Sequence, residues 1–288
     1  MYNGKIRYTV DGARITPPRA TVAHSYEGET QMLPEFSLRG KVAVVTGGAR
    51  GLGREMMRAL ARVGADVVAV DLLEQQARES SEQVGAECGV RAAAWGADVT
   101  DEQQVTTTFA AIEREFGPID ILVAAAGIVE NVAAEDYPAA SWRKIIDVNL
   151  NGVFFTAQAA GRGMIARKSG SIILIASMSG LIVNRPQKQS AYNVSKAGVI
   201  MMAKSLAAEW APHGIRVNAI APGYMRTALT DQVLAGQPGL RQTWEGLIPL
   251  GRMGTPPELS GTVVYLASDA SSYVTGSTLV VDGGYTAW

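Results

Sequence analysis

From Lys41 onward the chain repeats one pattern: a short, unbroken apolar run, then a stretch whose apolar residues recur at helical spacing. The runs are Val42-Ala43-Val44-Val45, Asp66-Val67-Val68-Ala69-Val70, Arg91 to Trp95, Ile119-Asp120-Ile121-Leu122-Val123, Ser171 to Ala176, Ile215 to Ala221 and Thr278 to Val281. Between the first two, Leu52 to Val63 puts Leu52, Met56, Ala59, Leu60 and Val63 on one side of a helix; Glu74 to Glu87 and Asp101 to Phe116 read as two more helices. Runs without polar alternation are what strands buried on both faces require, and the intervening helices supply the cover. The pattern predicts an α/β domain over residues 39–288 built on a doubly wound parallel sheet, the Rossmann arrangement.

Composition removes the competing classes. Hydrophobic residues make up 47% and charged residues 18% of the 288, which excludes a largely disordered chain. A net charge of −1 gives no electrostatic reason to bind nucleic acid or an anionic membrane. The single cysteine, Cys88, excludes an internal disulfide framework and a paired-cysteine zinc or redox site. Two histidines, His24 and His213, with no HExxH, predict no metal centre. The longest uncharged run, Ser169 to Asn184, is shorter than the roughly 20 apolar residues a membrane span needs. A soluble, cytoplasmic protein is expected.

Residues 1–38 depart from the pattern. Lys5 to Val10 alternates polar and apolar, Asp11-Gly12 suits a two-residue turn, and Ala13 to Thr16 alternates back before Pro17-Pro18. A hairpin with Tyr8 facing Ile15, followed by an irregular arm, is expected there.

The turn after the first run is Thr46-Gly47-Gly48-Ala49-Arg50-Gly51-Leu52-Gly53. A glycine-rich turn between a strand and a helix lets the backbone approach a pyrophosphate, with helix N–H groups and the positive dipole end aimed at it. The spacing is GxxxGxG rather than the common GxGxxG. Asp71 ends the second run, where an acid accepts both ribose hydroxyls and repels a 2′-phosphate. NAD is the expected cofactor, with NADP as the alternative because Arg50 is a cation in the same loop. Asp98, followed by Val99, stands where it reaches an adenine or caps the next helix.

Tyr192-Asn193-Val194-Ser195-Lys196 sets a tyrosine and a lysine at i and i+4, on one helix face. A free tyrosine titrates near 10, and a cation a few ångströms away favours the phenolate. Lowering the phenol by roughly 2 to 3 units takes about 3 to 4 kcal/mol, a demand within reach of Lys196 and an oxidised nicotinamide.

With Gly47, Gly51 and Gly53, Asp71, and the Tyr192/Lys196 pair in this order, residues 39–288 resemble the short-chain dehydrogenase/reductase family. The resemblance implies that the three glycines hold the cofactor pyrophosphate, Asp71 the adenosine ribose and Asp98 the adenine, with Arg50, Leu52, Val99 and Gly127 in the cofactor cleft. Asn149 is similar to the family's helix asparagine that holds a proton-relay water. Ser177 resembles the serine that polarises the substrate oxygen, Tyr192 the general acid/base, and Lys196 its partner, which also grips the nicotinamide ribose. Pro222-Gly223-Tyr224-Met225-Arg226-Thr227 is similar to the family's PGxxxT stretch, in which Met225 and Thr227 hold the carboxamide. Where the family often carries Asn-Asn-Ala-Gly, this chain has Ala124-Ala125-Ala126-Gly127, which puts hydrogen bonding at that strand end in doubt. The family also implies a homotetramer, paired through helices at about Ser141 to Arg167 and Ala191 to Trp210 and through the C-terminal strand and helix. Leu150, Val153, Phe154 and Ala157 are expected to give the first of these an apolar face wider than one core contact needs.

Specificity is expected in Met178 to Ser190 and in Tyr224 to about Thr255, the second reading as a mobile lid containing Trp244. Asn184, Arg185, Gln187 and Gln189 suit a polyhydroxylated substrate, unless they simply face water. The N-terminal extension, Tyr192-Asn193 and Trp288 also resemble the sugar-alcohol and keto-sugar dehydrogenases within the family. The expected reaction is NAD-linked hydride transfer on a small polyol or ketose. A 3-oxoacyl-thioester reductase, a general ketone reductase and a non-catalytic dinucleotide-binding protein are the alternatives.

Overall fold

The computed structural model describes residues 33–237 and 239–287. The expected hairpin around Asp11-Gly12, the pairing of Tyr8 with Ile15, and Trp288 lie outside these residues.

Seven strands form one parallel sheet: β1 (Val42–Thr46), β2 (Asp66–Asp71), β3 (Ala92–Gly96), β4 (Ile121–Ala124), β5 (Gly170–Ile175), β6 (Ile215–Pro222) and β7 (Thr278–Val281), in the order β3-β2-β1-β4-β5-β6-β7. Successive side chains of a strand point to opposite faces, and the two cores divide accordingly. On one face Val44, Val68, Leu122, Ile172 and Val217 meet Phe109 and Ile112 of α3 (Glu102–Glu115), Val153, Ala157 and Met164 of α5 (Gly152–Arg167), and Val199 and Ala203 of α6 (Ser190–Trp210). On the other, Val45, Val67, Ala69, Val123 and Ile173 meet Met56 and Leu60 of α1 (Gly51–Arg62), Ala77 and Val84 of α2 (Glu74–Cys88), and Val263 and Leu266 of α9 (Ser260–Ala267). This double burial is why the inner strands are apolar along most of their length.

Three departures from the sequence-based expectation have local causes. The helix expected over about Ser141 to Arg167 is not continuous: α4 (Ala139–Ile146) passes into a π turn at Asp147–Asn151 before α5 begins. Its apolar residues do not form one outward face. Val153 and Ala157 are buried in the core, Leu150 packs against it, and only Phe154 turns outward, 36% exposed. The stretch expected as a lid forms two short helices, α7 (Ala228–Ala235) and α8 (Leu240–Leu247). Leu240 and Trp244 of α8, with Ile248 and Met253, make a small separate core against Tyr224, Val233, Leu234 and Tyr285.

Residues 33–38, which the sequence pattern groups with the arm, pack with the sheet domain. Leu38 is buried in the second core, and the Phe36 ring lies 6.5 Å from that of Tyr265.

Candidate active site

In an open parallel sheet, ligands bind beyond the carboxyl ends of the strands where the strand order reverses. Here that point lies between β1 and β4, and the segments after β1, β2, β3, β4, β5 and β6 carry the residues singled out in the sequence.

The loop after β1 is closed on itself. A Cβ on Gly53 would stand 2.1 Å from the Gly47 carbonyl oxygen, and one on Gly47, whose φ is +70°, 2.8 Å from the Ala126 nitrogen. Only glycine satisfies either contact. Gly51 opens α1 at φ +60° with nothing within 4 Å of a Cβ there, and its N-cap residue Arg50 makes no side-chain capping bond. The first N–H groups of α1 therefore face an open cradle, the arrangement a pyrophosphate fits. Leu52 is half-buried in the first turn, and Arg50 is exposed.

Asp71, at the end of β2, accepts the Ala49 N–H at 3.1 Å and the Leu73 N–H at 3.0 Å, which pins the cradle to the neighbouring strand. Asp98 folds back on Thr100, accepting its N–H at 2.9 Å and its hydroxyl at 2.8 Å. The helix cap considered for Asp98 belongs instead to Asp101, which accepts from the backbone of Gln103 and Gln104. Val99 is buried against Gly152 at the start of α5. The alanines after β4 keep the strand end tied to β1: Ala125 N–H bonds the Thr46 carbonyl at 3.2 Å and Ala126 N–H the Thr46 hydroxyl at 3.5 Å.

Asn149 lies in the π turn, fully buried. Its Oδ1 accepts the Ile128 N–H at 2.8 Å; its Nδ2 donates to the Ile128 carbonyl at 2.8 Å and to Ser195 Oγ at 3.2 Å. The side chain is thus fully engaged by the protein, and a relay water there would have to use the backbone. Ser195, not singled out for a role in the sequence, in turn donates to the Tyr192 carbonyl at 2.7 Å. Gly127 sits over the pair, an ideal Cβ there standing 3.4 Å from Asn149 Oδ1 and 3.5 Å from Lys196 Nζ.

Ser177 follows β5, and its Oγ accepts the Ser179 N–H at 3.1 Å. Tyr192 stands in the first turn of α6. Lys196, one helical turn on, is 4% exposed, donates to the Ile175 carbonyl at 2.8 Å, and holds its ammonium 5.7 Å from the centre of the Tyr192 ring. Burial pushes the ammonium down to about 8. Desolvation pushes the Tyr192 phenol above its ordinary value, and the neighbouring Ser177 hydroxyl only partly offsets it. The lowered phenol expected from Lys196 together with an oxidised nicotinamide is not present in the protein without the second of the two.

Pro222 ends β6 and is buried, and Gly223 after it is forced by contact: a Cβ there would stand 2.6 Å from Asp282 Cα. Met225 is buried and bridged to Gly254, and Thr227 caps α7 in a reciprocal box with Thr230. Hydrogen bonds tie Asn149 through Ser195 to the Tyr192 backbone, and Lys196 lies beside the Tyr192 ring, while Asp71 and the glycine cradle form a second group around the ends of β1 and β2. Among the described residues no group of three or more His, Cys, Asp or Glu is placed to hold a metal, and no helix is long and apolar enough to cross a membrane.

The family model described as enoyl-(acyl carrier protein) reductase matches residues 47–286. The chain belongs to the short-chain dehydrogenase/reductase family. This short-chain dehydrogenase/reductase is 46% identical to a D-arabinitol 2-dehydrogenase [ribulose-forming] of Candida tropicalis, over 92% of the chain and 99% of the relative. It is 43% identical to a galactitol 2-dehydrogenase (L-tagatose-forming) of Cereibacter sphaeroides, over 88% of the chain and 98% of the relative. Among solved structures, a short-chain type dehydrogenase/reductase from Mycobacterium marinum superimposes with a TM-score of 0.84 at 44% identity, covering 88% of this chain and 98% of that one.

The buried Lys196 makes stability depend on pH with a definite sign. Between its native value near 8 and the ordinary lysine value of 10.5, the unfolded chain binds the proton and the native chain does not, so stability rises with pH. The unfolding free energy of the wild type relative to Lys196→Met, from denaturant titrations, is expected to increase from pH 8 to pH 10 by about 2 to 3 kcal/mol; a flat difference contradicts the burial argument.

Proposed function

We propose that the chain is an NAD-linked oxidoreductase that interconverts a small polyol and its 2-ketose. The observation that carries the reading is the placement of Tyr192 one helical turn before the buried Lys196, whose ammonium lies 5.7 Å from the centre of the Tyr192 ring. The polyol class rests on the relatives whose names specify oxidation of a sugar alcohol at its second carbon to ribulose or L-tagatose.

The nicotinamide, when bound, supplies or accepts the hydride at the substrate carbon. In this reading Gly47, Gly51, Leu52 and Gly53 hold its pyrophosphate, and Asp71 takes the adenosine ribose. Arg50, Asp98, Val99 and Gly127 border the adenosine side, while Pro222, Gly223, Met225 and Thr227 border the nicotinamide. Ser177 and Tyr192 then hold the substrate oxygen from two sides, the geometry that stabilises a developing alkoxide. Tyr192 Oη carries the proton exchanged with that oxygen. Lys196 keeps a positive charge beside the ring, so a proton leaving the phenol leaves a paired charge rather than an isolated one. Asn149 fixes Ser195 and the Tyr192 carbonyl, and so the first turn of α6 from which Tyr192 projects.

Tyr192→Phe is expected to lower turnover of ketose with NADH by 10²- to 10⁴-fold while cofactor binding, read by fluorescence titration, stays within about threefold. More than a tenth of wild-type activity in that variant removes the proton-transfer role.

NAD is preferred in this reading because the Asp71 carboxylate stands where a 2′-phosphate would be repelled. Asp71 also anchors Ala49, so its removal is expected to weaken NADH. Asp71→Ala should raise the Kd for NADH and lower that for NADPH; wild-type Kd values already equal for the two contradict the preference.

Assembly as a cytoplasmic homotetramer completes the proposal. Phe154 on α5 and Val194 and Met201 on α6 are exposed apolar residues, and Val280 is exposed on the edge strand β7. Light scattering at micromolar concentration is expected to give about four times the 30.4 kDa chain mass; a stable monomer overturns this part.

A further inference from the structure

Four polar side chains between Ser177 and Tyr192 suit hydroxyl recognition, and their surroundings separate them. Arg185 is exposed. Gln189 is buried, and its Nε2 donates to Ser179 Oγ at 3.1 Å and to Asn193 Oδ1 at 2.9 Å, so it serves the loop itself. Gln187 bridges two aromatic residues of the lid region: its Nε2 donates to the Tyr224 hydroxyl at 2.6 Å, and its Oε1 accepts from Trp244 Nε1 at 3.2 Å. An indole N–H only donates, so Trp244 fixes which end of the Gln187 amide faces which partner. Tyr224 is held further by stacking on Trp244, with ring centres 4.1 Å apart and planes 10° from parallel, and by edge contact with Tyr285 at 5.5 Å.

Asn184 remains. It is 2% exposed, its Nδ2 stands 3.4 Å from the Tyr224 hydroxyl, and its Oδ1 is buried without a hydrogen-bond partner among the described residues. Turning the amide over leaves the same deficit. Oδ1 would then take the Tyr224 proton, and Nδ2 would be left without an acceptor. One end of a buried amide stays open in either orientation, which is unfavourable unless something polar completes it.

We propose that Asn184 reads the substrate: its open amide end bonds a hydroxyl on a carbon other than the reacting one, and Gln187, Tyr224 and Trp244 form the frame that holds it. This rests on the polyol reading above and assigns specificity within it to one atom pair. A hydroxyl both donates and accepts, so it completes the amide in either orientation; a methylene completes it in neither. The open end has no exposed surface, so the frame of Gln187, Tyr224 and Trp244 must shift to admit the hydroxyl.

The test compares two substrates that share the reacting carbonyl, an open-chain 2-ketopentose and 2-pentanone, in wild type and in Asn184→Leu, by kcat/KM with NADH. The variant is expected to lose about 10- to 100-fold on the ketose and to change less than about threefold on 2-pentanone. Equal losses on the two substrates overturn the proposal and make Asn184 a structural residue. Should the leucine variant not fold, Asn184→Ala is read by the same ratio. A wild type that reduces 2-pentanone but no ketose overturns the polyol reading itself, and the proposal with it, and that result is seen without any variant.

Discussion

The Asn149 amide joins three segments that are distant in the chain. It holds the N–H and the carbonyl of Ile128 after β4, and it bonds Ser195 on α6, all from within a π turn between α4 and α5. Ser195 passes the constraint to the Tyr192 carbonyl. A buried amide with every polar atom satisfied is stable only in the one geometry that satisfies it. The loop that closes the switch point of the sheet, the helix that carries the tyrosine, and the helix pair between them are consequently set by one side chain, and the positions of Gly127 and Lys196 depend on it.

The sheet makes that precision possible by being dry. Strands β1, β4, β5 and β6 are buried on both faces, so the groups at their carboxyl ends sit at the border between an apolar interior and solvent. Lys196 occupies that border from below. Its ammonium has a single described acceptor, the Ile175 carbonyl, and no carboxylate among the described residues pairs with it. Desolvation therefore goes uncompensated and pulls the ammonium toward neutrality, while the same desolvation resists ionisation of the phenol beside it. Two groups with opposite charge tendencies are brought to the same border by one helical turn.

What the sequence made readable was what is local or periodic. The strands could be placed to within one or two residues because burial on both faces leaves an unbroken apolar run. The glycine cradle, Asp71 and the Tyr192/Lys196 pair were readable because their spacing is short. The π turn was not: it differs from an α-helix by one extra residue in a turn, and Asp147-Val148-Asn149-Leu150-Asn151 contains no proline or glycine to mark it. Nor was the small core of Leu240, Trp244, Ile248 and Met253, since it exists only once Tyr224 arrives from the end of β6. Thr227 shows a third kind of difficulty, for one hydroxyl serves as a helix cap at a position where the family resemblance assigns a ligand contact. Asn184 and the two glutamines were legible as polar residues near a pocket; which of them is engaged within the protein depends, for Asn184 and Gln187, on partners about 40 to 60 residues away.

The π turn has a bearing on what changes in length the chain can absorb. Five residues there occupy a span that an α-helix would cover with one fewer. Removing a single residue between positions 147 and 151 would let α4 and α5 join as one regular helix, and helix formation itself would favour the change. The shortened helix spans the same distance, so Ile145, buried from α4, and Val153, buried from α5, keep facing the sheet. What the deletion removes is the turn in which Asn149 sits, and with it the reach of its amide to Ile128 and Ser195. The extra residue therefore serves the site rather than the packing, and a one-codon deletion there would leave the core in place while freeing the first turn of α6.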